Sequence, residues 1–126
     1  MIERITIEPN PHQPRIILEP TGDLLFEGRT IVANAIEFYE PIIDWLISFQ
    51  KEGGTSIKAD FKYDYVNTAS HKMLIQLFLT LKDIEKLGVS IVVNWYYFED
   101  DEDILEFGEE ADLLTGVKFN LIKRYN

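Results

Sequence analysis

The chain of 126 residues contains no cysteine at all. This absence excludes disulfide bonds, a thiolate nucleophile and cysteine-ligated metal sites, and it fits a reducing compartment. No apolar run approaches the roughly 18 residues that a membrane-spanning helix needs. The charged opening MIERITIEPN also lacks the apolar stretch of a signal peptide. We therefore expect a cytoplasmic protein with no membrane partner.

Basic residues are scarce, since 12 Lys and Arg stand against 22 Asp and Glu, for a net charge of −10. The imbalance is local: residues 99–112, EDDEDILEFGEEAD, hold nine acidic residues and no basic one, which leaves a net of −1 elsewhere. We interpret this block as the solvated acidic start of a helix, favourable to the helix dipole. Because nucleic acids are bound by clustered Lys and Arg, we expect no nucleic-acid partner.

Motifs of catalysis and metal binding are also missing. His12 and His71 lack metal-ligand spacing, and the chain has neither a P-loop nor a nucleophile elbow. We expect surface histidines, no metal, no cofactor and no enzymatic activity. Two alternatives stay open. One is a receiver-like domain phosphorylated on Asp60 or Asp64, for which ITIEPNPHQP offers only Glu8 of the needed acidic pair. The other is a small α/β enzyme whose catalytic groups converge only in the fold.

Apolar residues make up 46% of the chain, enough for the core of one domain over residues 1–126. The strand SIKADFKY alternates apolar and polar residues, which indicates a sheet covered on one face only. We predict an α/β domain whose mixed, mostly parallel sheet carries its helices mainly on one face. The predicted order is β-β-β-α-β-α-β-α-β, with strands at 3–8, 15–20, 24–28, 56–63, 89–98 and 117–124, and helices at about 36–51, at about 68–87 and in the acidic block.

The first helix contains a conflict. Asn34 and Glu37 resemble a capping box, whereas Pro41 opposes a straight helix from that cap. We predict either a kink at Pro41 or a regular helix that starts near Glu40.

The stretch YVNTASHKML, residues 65–74, places three hydrogen-bonding residues between a strand and the second helix: Asn67, Thr68 and Ser70. One interpretation is a helix N-cap, which contributes about 1 kcal/mol. The other is a hydroxyl exposed for phosphorylation, because the free N–H groups at a helix start favour a phosphate. On the helical wheel Ile75 and Leu79 fall on the polar face, in line with Thr68 and Lys72.

Three stretches resemble the SiaC family of regulatory phosphoproteins, relatives in fold of STAS-domain anti-sigma-factor antagonists: FEGRT, NAIEFYEPIIDWLISF and FKYDYVNTASHKMLIQLF. The resemblance spans nearly the whole chain and implies a single STAS-like domain. In that family the Thr of an Asn-Thr-Ser-Ser-like motif is the phosphoacceptor, which corresponds here to Thr68, with Asn67 and Ser70 also matching. The chain departs at Ala69, where Ser is common, and at IVAN, where relatives tend to have Pro-Glu-Asn.

The resemblance further implies partner switching. A cognate kinase phosphorylates such a protein, a PP2C-like phosphatase reverses this, and the unphosphorylated form binds a downstream protein, a diguanylate cyclase in the best-known branch. From this we expect Thr68 to be the phosphoacceptor, supported by Asn67, Ser70 and Lys72. We expect the partner-binding face to carry Ile75 and Leu79, which lie below Thr68 on the same face of the helix.

Overall fold

The structure is a computed structural model that describes residues 2–125. The described chain forms six strands and three helices in the order predicted from the sequence. They are β1 (Ile5–Ile7), β2 (Arg15–Leu18), β3 (Asp23–Thr30), α1 (Ala35–Lys51), β4 (Ser56–Val66), α2 (Thr68–Lys86), β5 (Ser90–Phe98), α3 (Glu102–Thr115) and β6 (Phe119–Arg124).

The strands form one sheet in which spatial order follows chain order, from β1 at one edge to β6 at the other. The first three strands pair antiparallel and form a meander. The four strands from β3 to β6 pair in parallel, and each parallel pair is joined by one helix. The predicted mixed, mostly parallel α/β fold is confirmed.

All three helices cover the same face of the sheet. On β4 the alternate residues Ile57, Ala59 and Phe61 are fully buried, whereas Lys58 on the other face is exposed. The helices reach this buried face through aromatic contacts. From β5, Trp95 packs against Phe78 of α2 and Phe107 of α3. From β4, Tyr63 is hydrogen-bonded to Tyr39 of α1. The predicted one-sided helix layer is therefore confirmed.

A row of aromatic rings crosses the centre of the sheet. Phe26, Phe61 and Trp95 occupy paired positions on β3, β4 and β5, so their rings point to the same face. Phe26 and Phe61 stack with centroids 4.3 Å apart, and Phe61 meets Phe78 of α2 edge-on at 5.2 Å. Such pairs contribute about 0.5–1.5 kcal/mol each beyond the area they bury. This row fixes α2 over the middle of the sheet.

Cross-strand contacts link polar side chains on the uncovered face of the sheet. The Asn94 amide donates to Asp60 Oδ1 at 2.8 Å, and the Asn120 amide donates to Asn94 Oδ1 at 3.1 Å. Lys62 lies over the ring of Tyr96, 5.0 Å from its centroid. These cross-strand contacts allow a mostly parallel sheet to leave one face open, although such sheets are usually covered on both.

Helix α1 begins at Ala35 and continues through Pro41, so the alternative of a start near Glu40 is wrong. The cap is Asn34, whose Oδ1 accepts the Glu37 N–H at 3.1 Å. In a complete capping box the Glu37 carboxylate would accept the backbone N–H of Asn34. Here it accepts from the side-chain amide of Asn34, so the expected capping box is incomplete. Pro41 lacks the N–H that would bond the Glu37 carbonyl, and the cap together with the buried face of α1 outweighs that single loss.

Gly108 allows α3 to lie close against the sheet. A Cβ at this position would be 2.5 Å from Cδ1 of Trp95. The indole cannot move aside easily, because Trp95 is fully buried, stacks on Phe107 and donates from Nε1 to the Ile104 carbonyl at 2.8 Å. The absence of a side chain at residue 108 is therefore required for this close packing.

We predict that Gly108→Ala lowers the free energy of unfolding. Overpacking costs about 1–3 kcal/mol, which exceeds the gain of about 1 kcal/mol from replacing glycine in a helix. Denaturant unfolding followed by tryptophan fluorescence measures the change. The exposed neighbour Glu109→Ala serves as control and should alter stability by less than about 0.5 kcal/mol. An unchanged or higher midpoint for Gly108→Ala would contradict this account of the α3 contact.

Candidate functional site

The junction between β4 and α2 is organised by Asn67. Its Oδ1 accepts the Ser70 N–H at 2.8 Å, and its carbonyl accepts the His71 N–H at 2.9 Å, which makes it the N-cap of α2. Its own N–H donates to the Thr30 carbonyl at 3.0 Å, and its side-chain amide donates to the Val32 carbonyl at 3.4 Å. Asn67 therefore starts the helix and also ties it to the end of β3.

Thr68 is the first residue of α2, and its side chain is exposed. Within residues 2–125 its hydroxyl has no hydrogen-bond partner. The N–H groups of Thr68 and Ala69 belong to the orphan amides of a helix start, since the Ser70 N–H is taken by the cap. The site thus combines a free hydroxyl, free amides and the positive end of the helix dipole. The cap and the exposed hydroxyl are different residues, so the two interpretations of this stretch are compatible.

Ser70 lies in the core, where its side chain is fully buried. Its hydroxyl is hydrogen-bonded to that of Thr30 at 2.8 Å. Because residues two apart point to different sides of a helix, Ser70 does not face the Thr68 hydroxyl. Ser70 anchors the first turn of α2, and its support of the site stays a prediction.

The Ser70–Thr30 pair begins a chain of four buried hydroxyls, which we call the hydroxyl chain: Ser70, Thr30, Tyr39 and Tyr63. Thr30 Oγ1 lies 2.6 Å from the Tyr39 hydroxyl, which lies 2.8 Å from that of Tyr63. All four side chains are at most 1% exposed. Burial raises the pKa of Tyr39 to about 12 and the pKa of Tyr63 well above its ordinary value, so both stay neutral. The hydroxyl chain joins α2, β3, α1 and β4.

A groove of about 840 Å³ opens beside Thr68, between the start of α1 and the first two turns of α2. We call it the α1–α2 groove. Ile36 contributes from α1 and is 61% exposed, and the half-buried Met73 and Ile75 contribute from α2. Thr68 and Lys72 also line it. An exposed apolar surface of this kind is typical of a contact site for another protein.

One of the two residues of the predicted partner-binding face lines this groove. Ile75 lines the groove, whereas Leu79 is 38% exposed and lies about one helical turn further along α2, outside the groove lining. Ile36 was not among the residues predicted from the sequence for this surface. It could have been found on the helical wheel, because Ile36 lies roughly 100° away from the core direction of α1.

The two histidines have different surroundings. His12 is exposed in the turn before β2. His71 is half-buried, and its ring meets Phe107 of α3 edge-on at 4.2 Å, so the prediction of a surface histidine was only partly right there. Beside it lies a cleft of about 370 Å³ with an acidic lining from Asp64, Asp101, Asp103, Glu106 and Glu110. Asp101 caps α3 by accepting the Ile104 N–H at 3.1 Å.

The receiver-like alternative gains no geometric support. Asp60 lies on the open face of the sheet in contact with Asn94, and Asp64 forms an ion pair with Arg124 at 3.7 Å. Between residues 2 and 125, no group of three or more His, Asp or Glu side chains is arranged to hold a metal ion. In the same part of the chain, no helix has both the length and the apolar composition to cross a bilayer.

Fold and site together define a class: an α/β domain with its helices on one face of the sheet and a solvated threonine at the start of its second helix. Residues 7–124 match the model of the SiaC family regulatory phosphoproteins. Since the match covers most of the chain, the protein belongs to the SiaC family, as its sequence motifs predict. An uncharacterized protein of Pseudomonas aeruginosa (strain UCBPP-PA14) is 27% identical over 89 residues, or 71% of each chain.

Solved structures of SiaC from Pseudomonas aeruginosa share the fold. The crystal structure of the diguanylate cyclase SiaD in complex with its activator SiaC matches with a TM-score of 0.88 and 23% identity, over 95% of this chain and 99% of the matched chain. A structure of SiaC matches with a TM-score of 0.86 and 21% identity, over 99% and 100%. Apo-SiaC matches with a TM-score of 0.87 and 23% identity, over 96% and 99%.

Stability measurements can test whether Asn67, and not Thr68, caps α2. We predict that Asn67→Ala lowers the free energy of unfolding by about 1 kcal/mol, because the Ser70 N–H loses its acceptor. Thr68→Ala removes a hydroxyl without a hydrogen-bond partner in the described part of the chain and should change stability by less than about 0.5 kcal/mol. Denaturant unfolding of both variants beside the wild type provides the measurement. Equal losses in the two variants would show that Thr68 shares the capping role.

Proposed function

We propose that this protein is a non-enzymatic regulator switched by reversible phosphorylation of Thr68, and that its unphosphorylated form binds a downstream target through the α1–α2 groove. The observation that carries the proposal is the contrast within the NTAS motif. The Thr68 hydroxyl is exposed at the edge of the groove and makes no hydrogen bond to the described residues, whereas the Ser70 hydroxyl is buried and bonded. Membership of a regulatory phosphoprotein family supports it.

A phosphate on Thr68 suits the local structure. It adds about 1.5 to 2 negative charges and three acceptor oxygens. The N–H groups of Thr68 and Ala69 and the positive end of α2 favour such a group. Lys72 is exposed one turn further along the same face and supplies a cation. Because the unmodified hydroxyl has no role in folding, the modified domain keeps its structure.

The same phosphate alters the groove. In the unmodified protein a small hydroxyl borders an apolar surface that includes Ile36 and Ile75. Phosphorylation places a dianion at this border, and bringing it into an apolar contact is costly unless the partner supplies a cation. We therefore propose that phosphorylation weakens target binding.

The proposed cycle has three partners. A cognate protein kinase adds the phosphate to Thr68, and a PP2C-like phosphatase removes it, both in the cytoplasm. For the downstream target we propose a diguanylate cyclase, since SiaC of Pseudomonas aeruginosa is described as the activator of the diguanylate cyclase SiaD and shares this fold. The capping residue Asn67 and the anchored Ser70 support the site, and Leu79 extends the proposed partner-binding face beyond the groove.

We predict that protein isolated from its native organism carries phosphate on Thr68, located by fragment mass spectrometry. Thr68→Ala should abolish this phosphate and retain target binding, and Thr68→Asp should weaken that binding. The control Thr55→Ala, at an exposed threonine before β4, should leave the phosphorylation unchanged. Phosphate on another residue with Thr68 unmodified would refute the acceptor assignment. Equal target binding by both forms would refute the switch.

The groove is tested separately. Ile36→Glu puts a charge on a side chain that is 61% exposed, so the fold should tolerate it. We predict about tenfold or greater loss of binding to the target, as expected for a central apolar contact. The control is Leu113→Glu, which alters an 85% exposed leucine near the end of α3. If both variants bind the target like the wild type, the groove is not the contact surface.

A further inference from the structure

Four buried hydroxyls in a row require an explanation, because an apolar core would be simpler to pack. A hydroxyl buried without a partner costs about 1–3 kcal/mol, so each member depends on its neighbours. The hydroxyl chain has three links of 2.6–2.8 Å and reaches from α2 to β4. Its first member, Ser70, is also the second hydroxyl of the NTAS motif.

Thr30 holds the start of α2 at two points. Its carbonyl accepts the Asn67 N–H at 3.0 Å, and its hydroxyl is bonded to that of Ser70 at 2.8 Å. Thr30 is itself fixed, since it pairs with Val66 at the end of the β3–β4 ladder and its hydroxyl is bonded to Tyr39. The side chain of Ser70 can therefore reach solvent only if the first turn of α2 detaches from β3.

We infer that the hydroxyl chain is the specificity determinant of the switch: it locks Ser70 into the core and leaves Thr68 as the single hydroxyl of the motif that a kinase can reach. This inference rests on the proposed function at Thr68. A phosphate on Ser70 would have no place in the closed structure, because a dianion would lie beside Thr30 in the core. Modification of Ser70 would hold the first turn of α2 open and disrupt the α1–α2 groove.

The two ends of the hydroxyl chain differ, and this supplies a matched control. Thr30 links α2 to α1, so Thr30→Val removes the hydroxyl that lies 2.8 Å from that of Ser70, whereas the Tyr39 hydroxyl, which also interacts with Ser70, remains. Tyr63 lies at the far end and is bonded only to Tyr39 within the hydroxyl chain. Tyr63→Phe therefore removes one buried hydrogen bond of the hydroxyl chain, whereas Thr30→Val removes two, and Tyr63→Phe leaves the link between Thr30 and Ser70 intact. Thr30→Ser keeps a hydroxyl at residue 30 and serves as the rescue variant.

The first arm of the experiment needs no kinase. Amide hydrogen exchange of Ser70 and His71 reports opening of the first turn of α2, since both N–H groups are bonded to Asn67. We expect Thr30→Val to accelerate this exchange at least about fivefold, the factor that corresponds to about 1 kcal/mol for one lost hydrogen bond. Thr30→Ser and Tyr63→Phe should stay within about twofold of the wild type. Equal exchange in Thr30→Val and Tyr63→Phe would overturn the locking of Ser70.

The second arm measures acceptor choice. Each variant is combined with Thr68→Ala, produced in the native organism, and examined for phosphate on Ser70 by fragment mass spectrometry. If the kinase reaches Ser70 only in the open state, the fraction phosphorylated there should rise about fivefold with Thr30→Val, in step with exchange. It should not rise with Tyr63→Phe or Thr30→Ser.

The arms separate failure of the inference from failure of the proposed function. If wild-type protein carries no phosphate on Thr68, the proposed function fails, and the exchange arm still decides whether Thr30 locks Ser70. If wild-type Thr68 is phosphorylated but Ser70 is modified equally with and without Thr30→Val, the inference fails alone. Efficient phosphorylation of Ser70 in Thr68→Ala with Thr30 intact would likewise overturn it.

Discussion

The one-sided burial of β4 is the constraint on which the rest of the structure depends. Its apolar side chains point to one face of the sheet and its charged ones to the other. All three helices must therefore cover one face. Since β3 and β4 are parallel neighbours, with Thr30 opposite Val66, the helices that follow them start side by side at the same edge of the sheet. Carboxyl ends of parallel strands are where ligand sites of α/β proteins usually form.

The α1–α2 groove follows from this arrangement. Helices α1 and α2 pack side by side against the sheet, and the residues before α1 lie opposite the first turns of α2. Apolar residues off the core direction, such as Ile36 and Ile75, then face each other across the gap. On the open face of the sheet, Asp60, Asn94 and Asn120 form a polar ladder. The proposed binding surface is therefore placed on the helical side of the domain.

Local patterns in the sequence predicted much of this fold. The alternation of apolar and polar residues along β4 correctly predicted a sheet covered on one face. The start of α2 at Asn67 and Thr68 was also predicted correctly. The burial of Ser70 was not predictable, because its partner Thr30 lies 40 residues away. A serine in the sequence does not indicate which residue its hydroxyl will bond. The half-burial of His71 against Phe107 likewise depends on α3. Hydrophobic periodicity indicates which face of a single helix or strand is buried, whereas these contacts depend on how separate elements pack together.

The motif at the start of α2 assigns two structural tasks to two of its three hydrogen-bonding side chains. Asn67 satisfies the helix start, Ser70 anchors it to β3, and Thr68 does neither. A helix whose only hydroxyl at this point also served as its cap would lose stability on modification, so switching and folding would be coupled. Here the structural tasks fall on neighbours, and a charge added at Thr68 meets amides that favour it. Under the proposed switch, phosphorylation therefore changes the affinity for the partner and leaves the stability of the domain unchanged.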